Sequence, residues 1–315
     1  MGKAHQTVPV GNRERAGNRK TLLDRPPLLV SLARGRRASG LDERRTSRIL
    51  CGIVSEMCML SDEQKRRRVP VMPDAIFGEP KLAEIYDLLD NPDRPDLAPY
   101  LAIADEFHVH SIIDLGCGTG TLACSFASRG FEVVGIDPAA ASLNVAKRKA
   151  YADRVRWITG TAAQLKGLHA DLIIMTGNVA QVFVTDEEWM TTLCACRDAL
   201  RPGGRLVFEV RDPTREAWKG WNRDQSYQTI EAPEIGTVES WVELMNVQLP
   251  LVSFRYTFVF RKDGSVMTSE STLRFRSRSE IAETLSHAGF TIESVRDAPD
   301  RPGLEFVFLA HRESV

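Results

Sequence analysis

Apolar positions along the chain fall into short continuous runs separated by amphipathic stretches, the pattern of buried parallel strands alternating with surface helices. The runs are Ile112-Ile113, Phe131 to Ile136, Val155 to Thr159, Asp171 to Thr176 and Leu206 to Val210. Between them, Leu122, Ala123, Phe126 and Ala127 recur at helical spacing. A second helix is expected around Leu143 to Tyr151, and a third from Asp186, as its cap, to about Leu200. Upstream, Pro80 opens a helical pattern through Leu82, Ile85, Leu88 and Leu89, and Pro95 to Phe107 forms another;. Downstream, Ser279 to His287 returns to helix, Gly289 ends it, and Phe290 to Val295 and Leu304 to Ala310 supply two closing strands. This alternation predicts an α/β fold built on a doubly wound, mostly parallel sheet. One segment breaks the rhythm. Val252, Phe254, Tyr256, Phe258 and Phe260 alternate strictly with Ser253, Arg255 and Thr257, and Lys262-Asp263-Gly264-Ser265 is a hairpin signal;. An antiparallel β lid inserted over 212–275 is expected.

The joint between the first two strands carries the chemistry. Asp114 closes the first apolar run, the ladder Gly116-Cys117-Gly118-Thr119-Gly120 follows, Gly130 sits where a helix ends, and the second strand finishes on Asp137 and Pro138. Glycines suit a turn whose main-chain N–H groups must lie against a bound molecule. A nicotinamide fingerprint would put its third glycine at position 121, which is Thr121;. Asp114 would also repel a pyrophosphate at the helix N-terminus. S-adenosylmethionine carries a sulfonium and an ammonium and no phosphate, so the same carboxylate favours it. Asp137, seventeen positions past Gly120, is placed to accept both ribose hydroxyls.

With Asp114, Gly116, Gly118 and Gly120 in the order D-x-G-x-G-x-G, the chain resembles the class I S-adenosylmethionine-dependent methyltransferases from about Phe77 to its C-terminus. The resemblance implies a Rossmann-like sheet of seven strands ordered 3-2-1-4-5-7-6 with the last antiparallel. It implies N-terminal helices that cover the cofactor, with Tyr86 of Ile85-Tyr86-Asp87 near the methionine end. It places the adenine at Gly160-Thr161-Ala162, where the family often has an acid. Here Thr161 stands in its place and offers a hydroxyl or main-chain contacts, with Gln164 a stand-in. Arg201 to Arg205 matches the family's turn into the fifth strand. Ligands of open α/β sheets lie beyond the carboxyl ends of the strands, so Thr176, Gly177 and Asn178 should face the transferable methyl group. Substrate contacts are expected from Asn178, Gln181, Arg211 and Trp218, with Arg215, Trp221 and Trp241 further candidates. An arginine there would grip a carboxylate, and the aromatics would cover an apolar or cationic amine acceptor. Methyl transfer is an in-line displacement in which positioning contributes roughly 7–11 kcal/mol. No catalytic triad is expected, since none of His108, His110, His169 and His287 pairs with a serine or cysteine.

Composition sharpens this picture in two places. The net charge of −1 hides an asymmetry: 16 basic against 7 acidic residues through Val71, and 25 against 35 beyond it. A basic, disordered extension over 1–71 is expected, followed by a methyltransferase domain over 72–315. No run approaches the ~18–20 apolar residues of a membrane span and no signal peptide is recognisable, so a cytoplasmic protein without membrane association is expected. Six cysteines form no C-x-x-C pair and no zinc spacing;, so reduced thiols are expected and no metal. The function expected is methyl transfer to an oxygen or nitrogen nucleophile of a small molecule. The alternatives are a nucleic-acid methyltransferase using the basic arm, disfavoured by the acidic remainder, a non-catalytic S-adenosylmethionine-binding regulator, and a dehydrogenase. The identity of the acceptor and the oligomeric state stay open.

Overall fold

The computed structural model describes residues 72–89 and 94–313; the extension expected over 1–71 lies outside the described residues. Helices α1 (Ala75–Gly78), α2 (Pro80–Tyr86) and α3 (Ala98–Glu106) precede the first strand. The βα alternation follows as β1 (Ser111–Leu115), α4 (Thr121–Ser128), β2 (Glu132–Asp137), α5 (Ala140–Ala146), β3 (Val155–Thr159), β4 (Ala170–Met175), α6 (Asp186–Ala199) and β5 (Leu200–Arg211). After the short α7 (Arg223–Ser226), strands β6 (Gln228–Ala232), β7 (Gly236–Gln248), β8 (Leu251–Phe260) and β9 (Val266–Arg274) form a separate antiparallel sheet. Helix α8 (Arg278–His287) and strands β10 (Phe290–Asp297) and β11 (Glu305–Arg312) complete the chain.

The main sheet runs β3-β2-β1-β4-β5-β11-β10. Strands β1 to β5 are parallel, and β11 is antiparallel to both neighbours. This is the expected order. Consecutive apolar residues serve opposite faces, as a strand buried on both sides requires. Ile113, Ile173, Met175 and Phe208 meet Trp189 of α6 and Leu285 of α8. Ile112, Leu172, Ile174 and Val207 meet Phe126 of α4 and Tyr100 of α3.

The second sheet is the expected lid, and it does not stand alone. Its apolar residues Ile230, Val238, Phe258 and Phe260 pack against Ile76, Leu82 and Ile85 of α1 and α2. Ile76 N donates to Ser269 Oγ at 2.9 Å, and Lys81 bonds Asp263 at 2.8 Å. The N-terminal helices and the lid therefore share one core. That body reaches the main domain where Ser142 Oγ of α5 donates to Phe77 O at 2.9 Å.

Three local expectations change. The helix expected to reach Tyr151 stops at Ala146, and Tyr151 adopts φ 65°. Thr185 rather than Asp186 caps α6: its hydroxyl accepts from Glu188 N at 3.1 Å while Glu188 accepts from Thr185 N at 3.2 Å;. Asp186 instead occupies the first turn, where an acid suits the helix dipole. Arg201 to Arg205 lies within β5 as an irregularity against β4, with Gly203 at φ 75°;. Among the described residues Cys117, Cys124 and Cys196 are free. Among the described residues no helix is long and apolar enough to cross a membrane, and no cluster could hold a metal ion.

Phe208 is fully buried between Trp189 and Phe308, with ring centroids 5.4 Å away in both cases. Phe208→Ala should lower stability by about 3–5 kcal/mol in a denaturant titration.

Candidate cofactor and acceptor site

The glycines of the loop between β1 and α4 have three separate tasks. All take positive φ: 81° at Gly116, 52° at Gly118 and 74° at Gly120. A Cβ on Gly116 would lie 2.6 Å from Val179 Cγ2, so this glycine lets the loop close onto the turn after β4. A Cβ on Gly120 would lie 2.5 Å from the Trp157 ring, so this one serves packing. Gly118 meets nothing within 4 Å and opens onto free space;. Its N–H donates to Asp137 Oδ2 at 2.8 Å, and Asp137 Oδ1 accepts from Ala139 N at 2.7 Å. Each Asp137 oxygen retains acceptor capacity toward a ligand.

Asp114 is 1% exposed, and its Oδ1 is buried without a partner. Burial first, and then the Asp137 carboxylate, push its carboxyl up to about 7;. An orphaned acid beside an open main-chain cradle fits a cationic, phosphate-free ligand, so the residues present suit S-adenosylmethionine.

The cavity that opens in front of this loop continues along α6 past Thr191 and Asp198 and has a volume of about 1730 Å³, beyond the ~300–1,000 Å³ that one small ligand needs. It has room for cofactor and acceptor together. Of the residues expected to hold the cofactor, Tyr86, Asp114, Gly116, Cys117, Gly118, Asp137, Pro138, Thr161, Ala162, Thr176 and Gly177 lie on its wall. Gly120 and Asn178 do not. Gln164 is on the wall, but its Oε1 accepts from Thr161 N at 2.7 Å in a capping box. The lid contributes Met245, Ser253, Phe254, Ser271 and Thr272. Asp87, just past α2, accepts from Thr119 Oγ1 at 2.6 Å and pairs with Lys149 at 2.6 Å, clasping the cap to the glycine loop.

The expected substrate residues lie behind the wall rather than on it. Gln181 Oε1 accepts from Arg211 Nη1 at 3.2 Å, Arg211 faces Glu305 at 3.6 Å, and Asn178 Nδ2 donates to Glu305 at 3.3 Å. These side chains form an internal polar seam. Trp218 is buried in the lid, edge-on to Phe275 at 4.6 Å, and Trp221 packs on Phe254 at 4.6 Å. Where the seam meets the cavity, the wall carries Tyr100, Glu209 and Arg301, none of them singled out from the sequence. A signal existed for Glu209: it is a lone acid inside the otherwise apolar run Leu206-Val207-Phe208-Glu209-Val210, and a charge in a strand buried on both faces needs a reason.

Residues 112–204 match a family described as a methyltransferase domain. A protein of Geobacillus sp. (strain WCH70), described as a methyltransferase, is 26% identical over 217 residues, covering 64% of this chain and 84% of its own length. A ubiquinone biosynthesis O-methyltransferase of Acinetobacter baylyi (strain ATCC 33305 / BD413 / ADP1) is 34% identical over 103 residues, covering 31% of this chain and 42% of its own length. The crystal structure of an S-adenosylmethionine-dependent methyltransferase from Clostridium acetobutylicum ATCC 824 superposes with a TM-score of 0.61 at 19% identity, over 74% of this chain and 98% of that one. This last likeness is one of fold.

The raised carboxyl of Asp114 sets a pH dependence in the ligand-free protein. The folded state holds this proton up to about pH 7, whereas the unfolded chain releases it near pH 4. The contribution to stability is therefore complete below about pH 4 and is lost as pH rises toward about 7. Asp137 and Glu209, also raised by burial, tilt stability the same way. Denaturant midpoints measured across this window should fall with rising pH, and Asp114→Asn should flatten the slope.

Proposed function

We propose, from the premise that this chain is a class I S-adenosylmethionine-dependent methyltransferase, that it methylates an oxygen or nitrogen nucleophile of a small molecule enclosed between the sheet and the lid. The cofactor supplies a methyl group activated by a sulfonium. The chain supplies position and charge. Gly116 and Gly118 bring the main chain close to the bound molecule, Asp137 accepts from its ribose hydroxyls, and Thr161 and Ala162 border its base. The ionised Asp114 offsets its positive charge at short range in a buried turn. Tyr86, on the clasped cap, closes over it.

The observation that supports a small acceptor is the composition of this cavity's wall. The glycine loop, the turn after β4 and lid strands β7, β8 and β9 all contribute to it, so the acceptor half is roofed. Acids outnumber bases on that wall: Asp74, Asp114, Asp137, Glu209 and Glu270 are among its acids, against Arg94, Lys166 and Arg301. Such a surface repels a phosphate backbone, which argues against nucleic acid as the acceptor. It also welcomes a protonatable amine. The relative described as an O-methyltransferase supports an oxygen nucleophile over the matched segment, and the same positioning serves either.

Calorimetry on the full chain should show one S-adenosylhomocysteine bound per chain. Asp137→Ala should weaken it about tenfold or more, as loss of hydrogen bonds to a charged acceptor would. Incubation with methyl-labelled cofactor and either a metabolite extract or total RNA should put label into the low-molecular-weight fraction. Label in RNA, or no binding of S-adenosylhomocysteine, would overturn the assignment.

A further inference from the structure

At the carboxyl end of β5 a carboxylate and a phenol share one hydrogen bond beside the cavity. Glu209, 1% exposed, accepts from Gly177 N at 2.7 Å and Asn178 N at 3.2 Å through Oε1. The positive φ of Gly177 (69°) and Asn178 (63°) points two successive N–H groups at that oxygen, an anion-holding arrangement of main chain;. Glu209 Oε2 accepts from the Tyr100 hydroxyl of α3. Tyr100 and Glu209 both line the cavity, next to Gly177 and to Val179, which stands against Gly116 of the glycine loop. The pair thus sits where the cofactor loop and the acceptor half of the cavity meet. The Tyr100 hydroxyl has spent its only proton on Glu209 and keeps its lone pairs for an incoming donor.

We propose that Tyr100 and Glu209 together are the proton acceptor for the methyl acceptor's nucleophile, an inference that rests on the function proposed above. The nucleophile's N–H or O–H donates to Tyr100 Oη. As that bond breaks, its electron pair stays on the nucleophile and its proton moves to Tyr100 Oη. The hydroxyl's own proton passes to Glu209 Oε2, and the carboxylate becomes a carboxylic acid that later returns the proton to solvent. Atoms and charge balance without a further reagent.

The surroundings of Glu209 support this role. Burial and then the neighbouring Glu305 carboxylate raise its affinity for a proton, with Asp300 adding slightly; Arg301, 3.8 Å away, and the Gly177 N–H oppose them. The net direction is upward, toward the neutral range where a proton acceptor is most effective. Glu305 is separately held by Arg301 at 3.0 Å and by Arg211 at 3.6 Å. Two carboxylates side by side in a sheet interior are expensive to keep buried, and an apolar pair of similar volume would pack there with less penalty. A chemical task accounts for their presence.

The test needs no knowledge of the acceptor. Sinefungin, the cofactor analogue with C–NH3+ in place of S–CH3, presents an ammonium toward the group that faces the methyl position. Its affinity relative to S-adenosylhomocysteine is measured by calorimetry on the full chain and on the Tyr100→Phe and Glu209→Gln variants. The wild-type chain should prefer sinefungin, and each substitution should cut that preference about tenfold, the value of one charge-assisted hydrogen bond. The preference should also fall as pH is lowered and Glu209 takes up its proton. Asp114 is present in every variant, so its titration cancels when the pH dependence of the wild-type ratio is compared with that of Glu209→Gln and Tyr100→Phe. Should Glu209→Gln not fold, Tyr100→Phe, which removes one oxygen, decides alone. An unchanged ratio with S-adenosylhomocysteine still bound would overturn the proton-acceptor role. Absence of S-adenosylhomocysteine binding to the wild-type chain would instead overturn the cofactor assignment beneath it.

Discussion

Two carboxylates in one buried turn govern this molecule. The parallel register pairs Asp114 of β1 with Gly135 of β2 and carries Asp137 two residues further, so both acids arrive at the same edge of the sheet. Their repulsion in a medium of low dielectric is relieved only in part by the N–H groups of Gly118 and Ala139;. Gly135 shows how tightly the turn is built: a Cβ there would lie 2.7 Å from the Trp157 ring, so the strand gives up a side chain to let that ring support the loop.

The remainder of the fold builds the cavity around this turn. The doubly wound sheet fixes the ends of β1, β4 and β5 in one row. The lid and the N-terminal helices, far apart in sequence, share an apolar core and close the row from above. Between them runs the seam of Asn178, Gln181, Arg211, Arg301 and Glu305, which ties the turn after β4 to β5 and β11. Each charge in it has an opposite charge or a hydrogen-bond donor nearby, the condition under which buried ions are tolerated.

Much of this was legible in the amino-acid pattern. The β-α-β unit and the alternating lid strand rest on periodicity and on glycines with a steric task, and such signals are local; the strand order was implied by the family resemblance. The seam was not legible. Asn178, Gln181, Arg211 and Trp218 sit at the ends of elements that point toward the cavity, but their side chains turn inward to satisfy Glu305 or to fill the lid. For Asn178 that choice depends on a glutamate 127 positions downstream, and for Arg211 on the same residue. Tyr100 escaped notice for the same reason: its partner Glu209 is 109 positions away, and neither helix period nor strand alternation reports a pairing of that range. The capping of α6 failed on a smaller scale, since Thr185 and Asp186 are both good caps and only the reciprocal bond to Glu188 distinguishes them;.

The lid core joins segments far apart in the described chain, with Ile76 bonded to Ser269 across 193 positions. During synthesis from the N-terminus the glycine loop emerges early, and α1 and α2 meet α5 before the apolar face of the lid exists. Closing so long a loop is entropically slow. Strands β10 and β11 of the main sheet emerge later still, so the sheet beneath the pocket and the lid above it are both completed only from the C-terminal part of the chain.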